Sequence, residues 1–351
     1  MQACSRRQVA AALALLGLFS LPGVSRAAHK PPNGEVTRFP LPAPVSVPIG
    51  ITAGPDNRVW FVEHQPFGAG AIARIGTGGE LEEFPLPNPN SGPFGITTGP
   101  DGALWFTELL GHRIGRITTD GDIREYHLPP GSGPLGITVG PDGALWFTEN
   151  HGNQIGRITT EGAITRRIRI PTPHSAPGDI VVGPDGALWF TETNTDKIGR
   201  IPPTAVTTED ITEYPLPSGG SRPEDITVGP DGALWFTEKD GARIGRITTG
   251  GAITEFPVTE GSAPTQIVVG PDKNLWFTQP PAGQIGRITT AGKVTEFAVP
   301  DANPMGLTLG PDRALWFTAP VNNLVGRFQV CEESRGKGWG NCHKDRGRGR
   351  D

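Results

Sequence analysis

A single phrase constrains what this chain can fold into. Gly-Pro-Asp-Gly-Ala-Leu-Trp-Phe-Thr-Glu recurs with small variations in seven copies, whose tryptophans are Trp60, Trp105, Trp146, Trp189, Trp235, Trp276 and Trp316. Successive tryptophans stand 45, 41, 43, 46, 41 and 40 residues apart. A unit of that length, built only from short strands and turns, cannot bury its apolar faces alone, so neighbouring copies must pack on one another. The expected fold is all-β: a seven-bladed β-propeller of four-stranded blades. Glycine and proline, 50 and 37 of 351 residues, approach the level of a low-complexity chain. Their fixed period makes them turn punctuation instead.

The second copy predicts the blade. Gly95–Thr98 reads as a first strand, and Gly99-Pro100-Asp101-Gly102 as a tight turn with proline pre-set at its first central position. Ala103–Glu108, Arg113–Ile117 and Asp122–Tyr126 follow as second, third and fourth strands. Alternation puts Leu104 and Phe106 on one face and Trp105 and Thr107 on the other. Fourth strands begin near Leu81, Ile123, Ile164, Ile211, Ile253 and Val294, but the seventh copy, Gly306–Phe328, lacks one. Glu35–Pro42 has the pattern of a fourth strand. It is predicted to complete the last blade and cover an edge that would otherwise invite aggregation.

The ends of the chain read differently. Residues 1–27 have the make-up of an export signal: Arg6 and Arg7, an apolar stretch over Val9–Gly23, and a small-residue cleavage site at Ser25-Arg26-Ala27. Ser5-Arg6-Arg7-Gln8-Val9 resembles part of a twin-arginine signal. The prediction is an exported protein, periplasmic or extracellular, with the propeller over residues 28–328. No apolar run in the mature chain reaches the roughly 20 residues that span a bilayer. Residues 329–351 form a Gly-, Lys- and Arg-rich tail holding Cys331 and Cys342, whose close spacing predicts one local disulfide in an oxidising compartment. A net charge of −5 with 19% charged residues argues against a nucleic-acid partner, which would call for a basic face. A monomer is expected.

Seven copies in one chain separate scaffold from site, since a residue needed by every blade recurs and a functional site must break the pattern. The arginine of Ile-Gly-Arg-Ile recurs as Arg74, Arg116, Arg157, Arg200, Arg246, Arg287 and Arg327. It is expected to be a structural cation between blades with an acidic partner, because an unpaired buried charge is costly. The second-strand ends Glu63, Glu108, Glu149, Glu192, Glu238, Gln279 and Ala319 supply acids in five blades and are candidates for that partner. The turn aspartates lack calcium-loop spacing and read as turn formers.

First strands line the central channel of a propeller, so the variable residue of Pro-x-Gly-Ile rings one mouth of it. Those positions are Ile49, Phe94, Leu135, Gly178, Glu224, Thr265 and Met305, mostly apolar. Glu238, His64, His151 and His174 are expected on the same face, while His112 and His127 read as solvated blade positions. No histidine pair has metal-ligand spacing.

The full blade phrase, from Pro-x-Gly-Ile-Thr through Trp-Phe-Thr-Glu and Ile-Gly-Arg-Ile-Thr to Ile-Thr-Glu-Phe-Pro-Leu-Pro, resembles the virginiamycin B lyase (streptogramin B lyase) family over about residues 34–328. The resemblance implies an enzyme that opens a cyclic depsipeptide antibiotic by elimination. There a histidine removes a proton α to a carbonyl, and Mg²⁺ held by two glutamates stabilises the developing charge. Carried over by motif, the base position is Met305, a second histidine position is Thr265, the metal positions are Asn303 and Ala319, and an aromatic position is Ile49. All differ from the family pattern.

Two function classes follow. One is a lyase or relative with a shifted site built on Glu224, Glu238, His64 or His174. The other is a non-catalytic binding propeller that takes a small molecule, peptide or glycan at the channel mouth.

Overall fold

The computed structural model describes residues 34–42, 46–65 and 70–330. The predicted export signal, its predicted cleavage site and Cys331 and Cys342 lie outside the described residues.

Twenty-eight strands form seven four-stranded antiparallel sheets. In the second blade β6 (Pro93–Thr98), β7 (Leu104–Glu108), β8 (Arg113–Ile117) and β9 (Ile123–His127) pair in sequence order, each within about two residues of its predicted bounds. Blades 1 to 6 share that order. The last blade runs β1 (Gly34–Pro40), β28 (Leu324–Val330), β27 (Leu315–Ala319), β26 (Leu307–Leu309). The N-terminal strand therefore completes the seventh sheet, pairing Gly34 with Val330 and Pro40 with Leu324.

The phrase Pro-Asp-Gly-Ala-Leu-Trp encodes a side-chain lock. Asp101 Oδ1 accepts the indole N–H of Trp105 at 3.1 Å, and Oδ2 accepts Arg116 Nε at 2.7 Å. The same pairing joins Asp312 to Trp316 and Arg327, and Asp56 to Trp60 and Arg74. The repeated arginine thus pairs with the turn aspartate, not with the second-strand glutamate. It lies within its own blade at 15–28% side-chain exposure rather than deep between blades. The reason is register: Trp105 stands opposite Arg116, beside the turn, while the glutamate lies three residues further along the strand. Each of the seven blade tryptophans is fully buried.

Most of these indoles stack on an aromatic ring from the fourth strand, as Trp105 does on Tyr126 at 5.7 Å. In the last blade that ring is Phe39 of β1, 5.4 Å from Trp316 and tilted by 8°. Closure therefore reproduces the core of a blade as well as its hydrogen bonds. The third-strand glycine has its own cause, since a Cβ on Gly115 would lie 2.0 Å from the ring of Phe106.

The threonine of Trp-Phe-Thr-Glu stitches one blade to the next. Thr107 Oγ1 accepts Gly95 N–H at 2.9 Å within its blade and donates to Leu135 O of the following blade at 2.7 Å. Thr318 Oγ1 donates to Ile49 O at 2.7 Å, which joins blade 7 to blade 1 and closes the ring. Blade 1 has Val62 at this position.

Candidate functional site

First strands neighbour one another around the ring, so their mouth positions form two arcs. Met305, Ile49, Phe94 and Leu135 follow one another through blades 7, 1, 2 and 3 as an apolar arc. Phe94 and Met305 are half-buried there, and Ile49 and Leu135 are buried. Blade 5 supplies the charged arc. Glu224 Oε1 accepts Lys239 Nζ at 3.0 Å and lies 3.3 Å from Arg222 Nε, and Arg222 also lies 3.8 Å from Asp240. Lys239 is only 7% exposed, so its ammonium depends on Glu224. Between these arcs Gly178 is buried, and Thr265 is buried with its hydroxyl 2.9 Å from that of Thr278.

One residue further in, the ring reads Gly50, Gly95, Gly136, Asp179, Asp225, Gln266 and Gly306. The glycines are enforced by the next blade: a Cβ on Gly50 would meet Phe94 O at 2.1 Å, and one on Gly306 would meet Ile49 O at 2.2 Å. Blades 4, 5 and 6 break the rule. The Asp179 and Asp225 carboxyls share a hydrogen bond, and burial raises the pKa of both, with the charge of Asp179 adding to the effect on Asp225. This pair was not singled out from the sequence. Its signal was present: Pro-Gly-Asp-Ile, Pro-Glu-Asp-Ile and Pro-Thr-Gln-Ile interrupt Pro-x-Gly-Ile in three successive blades.

The second-strand glutamates are internal. Glu63, Glu108, Glu149, Glu192 and Glu238 have no exposed surface. Glu238 accepts Arg243 Nε at 3.0 Å, which places it inside blade 5 rather than on the mouth surface. Burial, then the neighbouring Glu125, pushes Glu108 up to about 7 although Arg113 contacts it, because that one guanidinium serves two carboxylates.

His64 ends the second strand of blade 1 at 8% exposure, and burial lowers its pKa, favouring the neutral ring. His174 is exposed on the loop before blade 4. His112 is more than solvated surface, since its Nδ1 accepts the Gly133 N–H at 3.1 Å. The structure brings Glu224 together with Lys239 and Arg222, but brings no histidine into that group.

Fold and site together define a closed seven-bladed propeller whose channel mouth is apolar on one side and charged on the other. The virginiamycin B lyase family model matches residues 26–210 and 205–335. A streptogramin B lyase structure is 39% identical, with a TM-score of 0.79 over 84% of this chain and 97% of that one. Virginiamycin B lyase from Staphylococcus aureus is 40% identical, with a TM-score of 0.79 over 85% of this chain and 99% of that one. A catalytically inactive histidine-to-alanine variant of that enzyme with quinupristin gives the same figures. Among curated proteins none matches the chain. The chain belongs to the virginiamycin B lyase family. Among the described residues no helix is long and apolar enough to cross a membrane.

Proposed function

We propose that this chain is an exported, monomeric binding propeller of its family, which captures a small molecule, peptide or glycan at the channel mouth. In this reading it does not perform the family's eliminative ring-opening at the position where its relatives do. One observation carries this. The matched base position is Met305, which has no proton-accepting group, and the matched metal positions are Asn303 and Ala319. That donor set does not fit a divalent cation: Ala319 offers no side-chain oxygen, and the Asn303 amide donates to Pro280 O at 2.6 Å. The Thr265 hydroxyl is likewise engaged, with Thr278. Loss of a general base alone costs about 10²–10⁴-fold in rate, and loss of the metal removes further charge stabilisation. An apolar arc facing Glu224, Lys239 and Arg222 suits a ligand with an apolar body and a polar or charged end.

Purified protein with excess Mg²⁺ and a streptogramin B substrate, followed by mass spectrometry for the linear product, tests the reading. Absence of turnover supports it. Robust turnover would refute it and direct attention to Glu224, Glu238, His64 and His174 as a substitute site. Export is tested separately by N-terminal sequencing, which should begin near Ala28. In the exported protein Cys331 and Cys342 form a disulfide expendable to the propeller, and Cys331→Ser should leave its unfolding transition in place.

A further inference from the structure

Most blades repeat a polar cluster where the second, third and fourth strands meet the loop before the first. In blade 2 its members are Ser91, Glu108, Arg113 and Glu125. Arg113 Nε donates to Glu108 at 2.8 Å, Nη2 donates to Ser91 Oγ at 3.1 Å, and Glu125 lies 3.2 Å away. Blade 5 repeats this arrangement around Arg243, with Glu238 and Ser221 each at 3.0 Å and Glu255 at 3.5 Å. Blade 4 uses Lys197, 2.9 Å from Glu213. Blade 3 moves the cation to the fourth strand, where Arg167 contacts Glu149 and Ser132. Blades lacking a cation also give up the second-strand acid. Gln279 of blade 6 donates its amide to Glu296 at 2.9 Å, and blade 7 has Ala319.

Blade 1 is the exception. It keeps Ser46, Glu63 and Glu83, but Ala71 stands opposite Glu63 where blades 2 and 5 have arginine. Both Glu63 oxygens, the Ser46 hydroxyl and Glu83 Oε1 are buried with no hydrogen-bond partner among the described residues. Glu63 is 0% and Ser46 2% exposed. Burial and then the charge of Glu83 lift the Glu63 pKa to about 7, against an opposing effect of the Ser46 hydroxyl. The adjoining segments 43–45 and 66–69 carry no basic side chain. A buried carboxyl beside a half-buried one, with no counter-ion, is costly, and every other blade avoids the arrangement.

We propose that Ser46, Glu63 and Glu83 bind an exogenous hard divalent cation at the place where Arg113 and Arg243 put their guanidinium groups in blades 2 and 5. The donors are all oxygen and include two carboxylates, which suits Ca²⁺ or Mg²⁺ over softer metals. No group of three or more His, Cys, Asp or Glu side chains converges among the described residues, so the serine hydroxyl completes the set in place of a third acid. The ion serves as a removable substitute for a scaffold arginine and stiffens blade 1 beside Ile49. It is separate from Asn303 and Ala319, which belong to blade 7.

Equilibrium dialysis of the full chelator-treated chain against Ca²⁺ alone and Mg²⁺ alone, with thermal unfolding in parallel, tests this. Expected are a single bound ion and a rise in Tm, both lost in Glu63→Gln and in Glu83→Gln. Ala71→Arg, which restores the internal cation, should raise Tm without metal and abolish the metal response. Wild-type protein that binds neither ion overturns the proposal, as does Glu63→Gln binding metal like wild type. The measurement is independent of lyase activity, so its failure leaves the functional reading intact.

Discussion

Asp225 Oδ2 accepts the backbone N–H of Ile267, in the next blade, at 2.6 Å, and on its other side the Asp225 carboxyl shares a hydrogen bond with Asp179 of the preceding blade. Three blades are thus joined at the channel wall through two acids. Burial, then the charge of Asp179, raises the Asp225 pKa well above the ordinary aspartate value, so the folded pair holds a proton that the unfolded chain releases. The unfolded state binds fewer protons across that interval, and stability falls as pH rises from the ordinary aspartate range through the raised pKa. Asp225→Asn removes the titration and should flatten the fall of unfolding free energy as pH rises above the ordinary aspartate range. Chemical denaturation across that range checks it; an unchanged slope would mean that the pair is already ionised. On the acid side the turn aspartates act oppositely. At Asp101 and Asp142 hydrogen bonds from arginine and tryptophan lower the pKa against the opposing effect of burial, so their contribution is present above the ordinary range and lost as pH falls.

The lock of Asp101 with Trp105 and Arg116 gives a second prediction. Asp101→Ala leaves a buried indole N–H without its acceptor and frees a half-sheltered guanidinium. The expected loss is about 2 kcal/mol of unfolding free energy. Urea denaturation measures it, and a loss near zero would mean that water replaces the carboxylate without cost.

Closure gives a third. Phe39→Ala removes the ring that stacks on Trp316 and should cost about 3 kcal/mol. Removing Gly34–Pro40 altogether bares the edge of β28, and light scattering should then report association. A truncated chain that stays monomeric with unchanged Tm would contradict this.

The mouth gives a fourth. Combining Met305→His with Asn303→Glu and Ala319→Glu places a base and two carboxylates at the matched positions. Titration calorimetry should then detect Mg²⁺ binding that the Met305→His variant alone does not show. No gain in binding would mean that the blade 7 backbone no longer presents those positions together.

Blade number, strand order and closure by Glu35–Pro42 were legible in the sequence, because each depends on local periodicity and on turns such as Gly99-Pro100-Asp101-Gly102. The Trp105, Asp101 and Arg116 types were legible too, but their pairing was not. The sequence pattern pointed Arg116 to the second-strand glutamate Glu108 and cast Asp101 as a turn former, and strand register decided for the aspartate instead. Mouth positions such as Phe94 and Met305 followed from topology, whereas the burial of Ile49 and the joining of Glu224 to Lys239 required side-chain packing. The five second-strand glutamates looked alike as a column of letters. Tertiary structure separated them by placing Arg113, Arg243 or Ala71 across a strand, so that the same Glu is ion-paired through one oxygen in blades 2 and 5 and has neither oxygen paired in blade 1. Asp179 and Asp225 meet across 46 positions of sequence. Their coupling arises because the ring brings consecutive first strands into contact, a distance that no local pattern encodes.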